Sequence, residues 1–375
     1  CDAEGRGPAY TYYPGGLVAT SKSAAEQNKT DGVALNYSYD VFGNTVGIRA
    51  GDYEHRYNYD PEGRLLSESD CYGTIKTCTY DTLGRLLTET DAAGAVTYYE
   101  YNALGEISYQ KLPGDETVPE LEIFYKYNRA GKLSERYDST GNRITYLYDS
   151  LGNLLAQTAY DTTTAETITV IYTYDANSNC TSATDAAGNR TEYTYDALGR
   201  KIAETFHPAE GTATPKTTQW EYDADGHNTL LRDYLGNETR TEYDSLGRVK
   251  TQYDALGNQT VSYRYDDCDR QVSSMDALGY ETTYTYDADG NVISTTAPNG
   301  AVTGHTYDYA GSLTSKTDPK GNRTIYTYDG RGRLTAVTNA LGETHTYTYD
   351  NADRQTAQTD PAGRGILYTY NVRGD

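Results

Sequence analysis

Tyr243-Asp244-Ser245-Leu246-Gly247-Arg248 reads as the end of a strand, a tight turn and the start of another strand, and it decides the fold because it keeps returning. The same pattern stands at Tyr59-Asp60-Pro61-Glu62-Gly63-Arg64, Tyr80-Asp81-Thr82-Leu83-Gly84-Arg85 and Tyr195-Asp196-Ala197-Leu198-Gly199-Arg200. Looser copies begin at Tyr39, Tyr101, Tyr127, Tyr148, Tyr174, Tyr222, Tyr265, Tyr286, Tyr307, Tyr328, Tyr349 and Tyr370, giving sixteen in 375 residues. The spacing is 20 to 22 residues, apart from three steps of 26, 26 and 27. A fixed short period marks a repeat array rather than a set of independent globular folds. A weaker copy, Tyr12-Tyr13-Pro14-Gly15-Gly16, precedes the rest. Residues 1–38 are therefore expected to hold a degenerate first repeat and a loop, and residues 39–375 one continuous array.

The turn chemistry explains the motif. Asp at the opening position accepts hydrogen bonds from backbone N–H groups just ahead of it. Gly four residues after the tyrosine supplies a positive φ. Thirteen of the sixteen copies have that Gly; the others have Ser178, Asp269 and Asp353. Asp tolerates the left-handed region better than most side chains. The frame is thus expected to rest on Tyr59, Asp60 and Gly63, on Tyr80, Asp81 and Gly84, on Tyr148, Asp149 and Gly152, and on Tyr195, Asp196 and Gly199. It continues through Tyr243, Asp244 and Gly247, Tyr286, Asp287 and Gly290, and Tyr328, Asp329 and Gly332. Each repeat has a quieter second turn, as in Asp138-Ser139-Thr140-Gly141-Asn142 and Asp254-Ala255-Leu256-Gly257-Asn258.

Between turns the residues alternate. Twelve copies place Tyr at both the motif position and two residues before it, on one face of a strand. Leu65, Leu86, Ile107, Leu133, Leu154, Val249, Val292, Leu313 and Leu334 recur six residues past the motif tyrosine. The fold class is all-β: a continuous antiparallel ribbon of hairpins. Residues 17–31 are the one helix-tolerant stretch, and a loop there is equally compatible with the sequence. There are 41 Tyr and only three Phe, which predicts aromatic rings packed side by side with hydroxyls in or near water. Tyr284, Tyr286, Tyr326, Tyr328, Tyr347 and Tyr349 form a candidate ligand-facing ladder, because sugar rings stack on aromatics.

The chain carries 54 acidic and 32 basic residues, a formal net charge of −22. That argues against nucleic acid and against an anionic membrane surface. No apolar run approaches the length of a transmembrane helix. No cofactor is expected. The acidic turns leave room for calcium, yet no stretch has the dense oxygen spacing of a dedicated calcium loop. His55, His207, His227, His305 and His345 lack metal spacing, and no catalytic motif appears. Five cysteines are scattered; Cys71 and Cys78 flank one turn, leaving a bridge between them open. Cys1 fits either a lipoprotein start or, better, numbering that begins inside a longer chain.

The pattern Tyr-Asp-x-x-Gly-Arg-Leu, intact at Tyr59 to Leu65 and Tyr80 to Leu86 and with Val at Tyr243 to Val249, resembles the Rhs or YD-repeat family across nearly the whole chain. The resemblance implies a hairpin ribbon that spirals into a hollow shell or solenoid-like array. Such shells belong to bacterial polymorphic toxins, insecticidal toxin-complex cocoons, wall-associated proteins and teneurins. It implies a non-catalytic scaffold in a secreted or cell-surface bacterial protein. Its partners would be an enclosed carboxy-terminal effector and further repeats of the same chain. Toxin members end in an aspartate-driven self-cleavage site. Here Asp318-Pro319-Lys320-Gly321 and Asp360-Pro361-Ala362-Gly363 share its look but sit in register as ordinary second turns. Arg373-Gly374-Asp375 spells an integrin tripeptide and likewise fills normal turn slots. The competing expectations are a carbohydrate-binding adhesin and a structural fibre. Finally, the three long steps fall in Leu112 to Glu122, Ala159 to Val170 and Phe206 to Gln219, in every second repeat. These lengthened hairpins read as drift in exposed loops or as protrusions that make a seam with another turn of the spiral.

Overall fold

A computed structural model describes residues 8–27, 32–209 and 214–374; Cys1 lies outside them. The described residues form 33 strands, from β1 (Ala9–Tyr12) to β33 (Gly365–Leu367). Each pairs antiparallel with the next in chain order, in one unbroken meander. The all-β ribbon expected from the period is the observed fold. One repeat is represented by β29 (Arg323–Tyr328) and β30 (Leu334–Thr338), joined by the motif turn. Within residues 17–31 the expectation of a helix or loop is corrected at Val18–Lys22, while residues 23–27 form a turn and 28–31 lie outside the described residues. Val18–Lys22 is strand β2, where Val18 opposes Tyr12 and Thr20 opposes Thr11, their hydroxyls 2.6 Å apart. Cross-strand pairing of β-branched residues outweighs the local tolerance for helix.

A single curved sheet cannot build a deep interior. Among the described residues only Ala24, Ala50, Cys78, Ala95, Ile123 and Leu230 are buried hydrophobics. The accessible surface is 22525 Å², against roughly 15,000 Å² for a compact monomer of this mass. The excess belongs to a wall with two wetted faces.

The wall curls until it meets itself. Ala25 N–H donates to Asp289, 264 residues away. Arg331 binds Asp70 across 261 residues, and Arg373 binds the Pro113 carbonyl across 260. In each contact a motif turn of the later ribbon sits on a second turn of the earlier one. The β29–β30 turn meets the turn between β6 (Leu65–Asp70) and β7 (Gly73–Tyr80), so one circuit takes 29 − 6 = 23 strands. At a strand spacing of about 4.8 Å this is a circuit of roughly 110 Å.

Candidate functional site

The functional element is the wall, and its unit is the motif turn. In Tyr328-Asp329-Gly330-Arg331-Gly332-Arg333 the Gly332 N–H donates to the Asp329 carbonyl, and the Asp329 N–H to the Arg333 carbonyl. The Asp329 carboxylate accepts the N–H groups of Arg331 and Arg333 on one oxygen and Arg333 Nε at 2.7 Å on the other. This is a type I turn closed by a left-handed residue, which skips one partner in the ladder just before Tyr328. All sixteen fourth positions have positive φ, including Ser178 at 66°, Asp269 at 62° and Asp353 at 63°. At Asp244 the same bonds hold the carboxylate below its ordinary pKa, the Arg248 side chain contributing most.

The tyrosine and arginine of the motif join one repeat to the next. Thirteen motif tyrosines donate their hydroxyl to the carbonyl of the residue that opens the preceding repeat's second strand, at 2.5 to 3.0 Å. Tyr349, for example, bonds the Leu334 carbonyl at 2.8 Å. Arg333 binds its own Asp329, lies 5.0 Å over the Tyr349 ring and donates to the Asp350 carbonyl at 2.8 Å. Arg64, Arg85, Arg200, Arg248, Arg270 and Arg354 repeat this clasp on Tyr80, Tyr101, Tyr222, Tyr265, Tyr286 and Tyr370. A phenylalanine would keep the ring contact and lose the carbonyl bond, which accounts for the preference for Tyr.

This geometry departs from hydroxyls turned to water. Motif tyrosines stand on alternate strands, so equivalent rings are two strand spacings apart, near 10 Å, and cannot stack directly. Among the described residues no ring–ring contact joins Tyr284, Tyr286, Tyr326, Tyr328, Tyr347 or Tyr349 to each other. All six are half-buried, while Thr285, Thr327 and Thr348 between them are exposed. Tyr286, Tyr328 and Tyr349 spend their hydroxyls on carbonyls, and burial raises their pKa.

The seam is the second part of the site. Asp70 is completely enclosed and Arg331 nearly so, with side-chain exposures of 0% and 6%. Arg331 grips both Asp70 oxygens, the Nη2 contact being 2.9 Å. Tyr72 N–H and Tyr53 hydroxyl also donate to that carboxylate. Burial alone would push the Asp70 carboxyl up; these donors, Arg331 foremost, hold it down at about 2. Gly330 N–H donates to the Tyr72 hydroxyl at 2.9 Å. A Cβ on Gly330 would come within 2.5 Å of the Tyr53 ring, so the close approach itself demands glycine. At the seam's far end Val372 N–H donates to Asp115, and Arg373 to the Pro113 and Pro119 carbonyls. The first lengthened hairpin, between β10 (Ile107–Leu112) and β11 (Leu121–Tyr127), is thus a seam contact. Arg373 is engaged there, and Asp375 lies outside the described residues.

Sequence reasoning did not single out Asp70, Tyr72 or Arg331, and read Arg373 only as part of a tripeptide in ordinary turn slots. The available signal was arginine at the third position past the motif tyrosine, a slot taken by Leu in many other copies. Cys71 and Cys78 are both free thiols. Cys71 is in the turn, and Cys78 lies five residues along β7 (Gly73–Tyr80), roughly 17 Å away and far outside bridging range. Asp223, Asp225 and His227 are the one group of metal-capable side chains clustered among the described residues. Asp223 and His227 are bonded to each other at 2.9 Å, His227 filling the arginine slot. Among the described residues no helix is long and apolar enough to cross a membrane.

A hairpin meander, clasped repeat to repeat and closed by a seam, defines a repeat scaffold. Comparison with known families says which one. The RHS Repeat family model matches residues 174–213, 243–275, 265–302, 307–344 and 328–365, and the Teneurin YD-shell model matches residues 16–167. The chain belongs to the RHS/YD-repeat family. No curated protein sequence matches it. Among solved structures it is similar to the Photorhabdus luminescens Tc holotoxin pore carrying a TccC3 mutation, with 16% identity and a TM-score of 0.69. That match covers 94% of this chain and 23% of the other. TcdB2-TccC3 gives 16% identity and a TM-score of 0.70, covering 94% and 24%. The chain therefore spans about a quarter of the length of those structures, and the likeness concerns the fold.

Proposed function

We propose that this chain is a wall segment of a hollow shell enclosing an effector domain in a secreted or cell-surface bacterial protein, with no catalytic residue of its own. The carrying observation is the seam: a 23-strand circuit whose later turn locks onto its earlier one through an enclosed Asp70–Arg331 pair. A sheet that closes on itself partitions space, and containment needs nothing more. The Tyr-bearing face is the more covered one, as expected of side chains converging on a concave lining. The shell folds of the TcdB2-TccC3 structures support the reading. The carbohydrate-adhesin alternative draws no support, since its tyrosines are half-buried and half of them are hydrogen-bonded to the backbone.

The test is limited proteolysis of the native protein isolated from its producing cells, followed by intact mass and terminal-peptide analysis. A domain unrelated to the repeats should resist protease in the wild type and become cleavable in Arg331→Ala. A native protein holding only repeats and an anchor, or cleavage indifferent to the seam, would contradict containment.

A further inference from the structure

Most motif turns carry a residue with no ligating atom three positions past the tyrosine, and arginine or asparagine five positions past it. Tyr222-Asp223-Ala224-Asp225-Gly226-His227 breaks both habits. Its two carboxylates and its imidazole come together, with one ligating atom of each within 4.8 Å of the others. Asp223 Oδ2 and His227 Nδ1 are 2.9 Å apart. The His227 ring is stacked on Tyr243 of the next repeat, with centroids 4.7 Å apart and planes inclined by 25°. Its Nε2 is turned to Gly247, where a Cβ would come within 2.5 Å. Nδ1 is therefore the nitrogen presented to the two carboxylates. The Asp225 carboxylate is exposed and has no hydrogen bond or ion pair; only its backbone N–H is engaged, by Asp223. Two other turns have carboxylates at the same two positions, and in each the second is already spent. Glu62 binds Arg64, and Asp289 accepts the Ala25 N–H. A cleft of about 820 Å³ opens over the triad, and carboxylates outnumber cations along it, Glu221 and Glu242 joining Asp223 and Asp225 against Arg240 and Lys250.

We propose that Asp223, Asp225 and His227 form a binding site for a divalent first-row transition cation, with water completing its coordination shell. Two ligating atoms 2.9 Å apart, each about 2.05 Å from a metal, subtend about 90° at it, the angle between neighbouring ligands of an octahedron. The third ligand needs only a rotation of the Asp225 side chain, which no partner holds. The cation takes the place of the proton shared by Nδ1 and Asp223, and that proton passes to Nε2. One imidazole beside two carboxylates suits Ni²⁺, Co²⁺ or Zn²⁺, whereas Ca²⁺ and Mg²⁺ take oxygen donors. The stack on Tyr243 fixes the imidazole before the metal arrives, so little ordering remains to be done on binding. The bound cation ties the tip of one repeat to a ring packed on the next, and does so whatever the wall encloses.

Titration calorimetry with NiCl₂ tests this on the 375-residue chain, first stripped with a chelator, in a non-coordinating buffer near neutral pH. The variants are His227→Arg and Asp225→Leu. Each installs what the next motif turn already carries at that position, Arg248 and Leu246, so both should fold, and circular dichroism without metal confirms it. The wild type should bind one equivalent of Ni²⁺ more than either variant. Any binding left at the altered site should be weaker by more than the roughly tenfold that loss even of an outer-shell partner costs. An excess of Ca²⁺ should leave that equivalent in place. Equal uptake by the wild type and either variant, or displacement of the Ni²⁺ by Ca²⁺, overturns the proposal.

Discussion

At the residue scale the motif tyrosine is a hydrogen-bond donor before it is an aromatic surface. Tyr328→Phe removes the bond to the Leu313 carbonyl and leaves that acceptor half-buried. Urea unfolding should show a loss of about 1 kcal/mol, whereas Phe at exposed Tyr10 should change nothing measurable. Asp70 gives a pH signature. Its folded pKa is depressed to about 2, below the ordinary unfolded value near 3.9. Its contribution is therefore complete above pH 4 and fades as pH falls toward 2, amounting to about 2 kcal/mol. Comparing unfolding of wild type and Asp70→Asn from pH 6 to the acid limit should show the two curves converging as acid is added; parallel curves would exclude the assignment. The two roles differ in how plainly the sequence states them. Asp at each turn opening is legible because its partners are two and four residues ahead. The Tyr349-to-Leu334 bond and the Asp70–Arg331 pair join residues whose proximity only the pairing and curl of the strands create.

The element scale is the turn, where local rules dominate and the reading of the sequence goes furthest. Asp-x-x-Gly fixes a type I turn with a left-handed fourth residue, and the three positions lacking glycine adopt that same conformation at some strain. Asp269→Gly or Ser178→Gly should therefore stabilise the chain, by about 0.5 kcal/mol or more, offset in part by the entropy of glycine in the unfolded state. Asp269 also pairs with Arg248, so Ser178 is the cleaner site and should show the larger rise in melting temperature. Asp244→Ala removes the acceptor for two backbone N–H groups and for Arg248. It should destabilise by about 1 to 2 kcal/mol, with hydrogen exchange rising first in residues 243–248. Local rules misread Val18–Lys22 because the deciding partner, β1, supplies its pairing from outside that segment.

The whole molecule is governed by closure. Period and strand count follow from the sequence; the length of one circuit does not, because it sums small twists over 23 strands. Closure depends on a few contacts, so removing one partner of the enclosed pair should matter out of proportion: Arg331→Ala leaves Asp70 charged and unpaired, at a loss of about 3 to 5 kcal/mol. The most direct test of the closed ribbon is a distance across the seam. Spin labels would be placed on native Cys71, which is exposed, and on Ala352→Cys, with the other cysteines replaced by serine. Asn351 lies beside Gly73, so double electron–electron resonance should give a narrow distribution near roughly 20 Å, whereas an uncurled ribbon would separate the labels by more than roughly 100 Å. A narrow short distance that broadens in Arg331→Ala is what closure predicts. A long or featureless distribution in the wild type would contradict it.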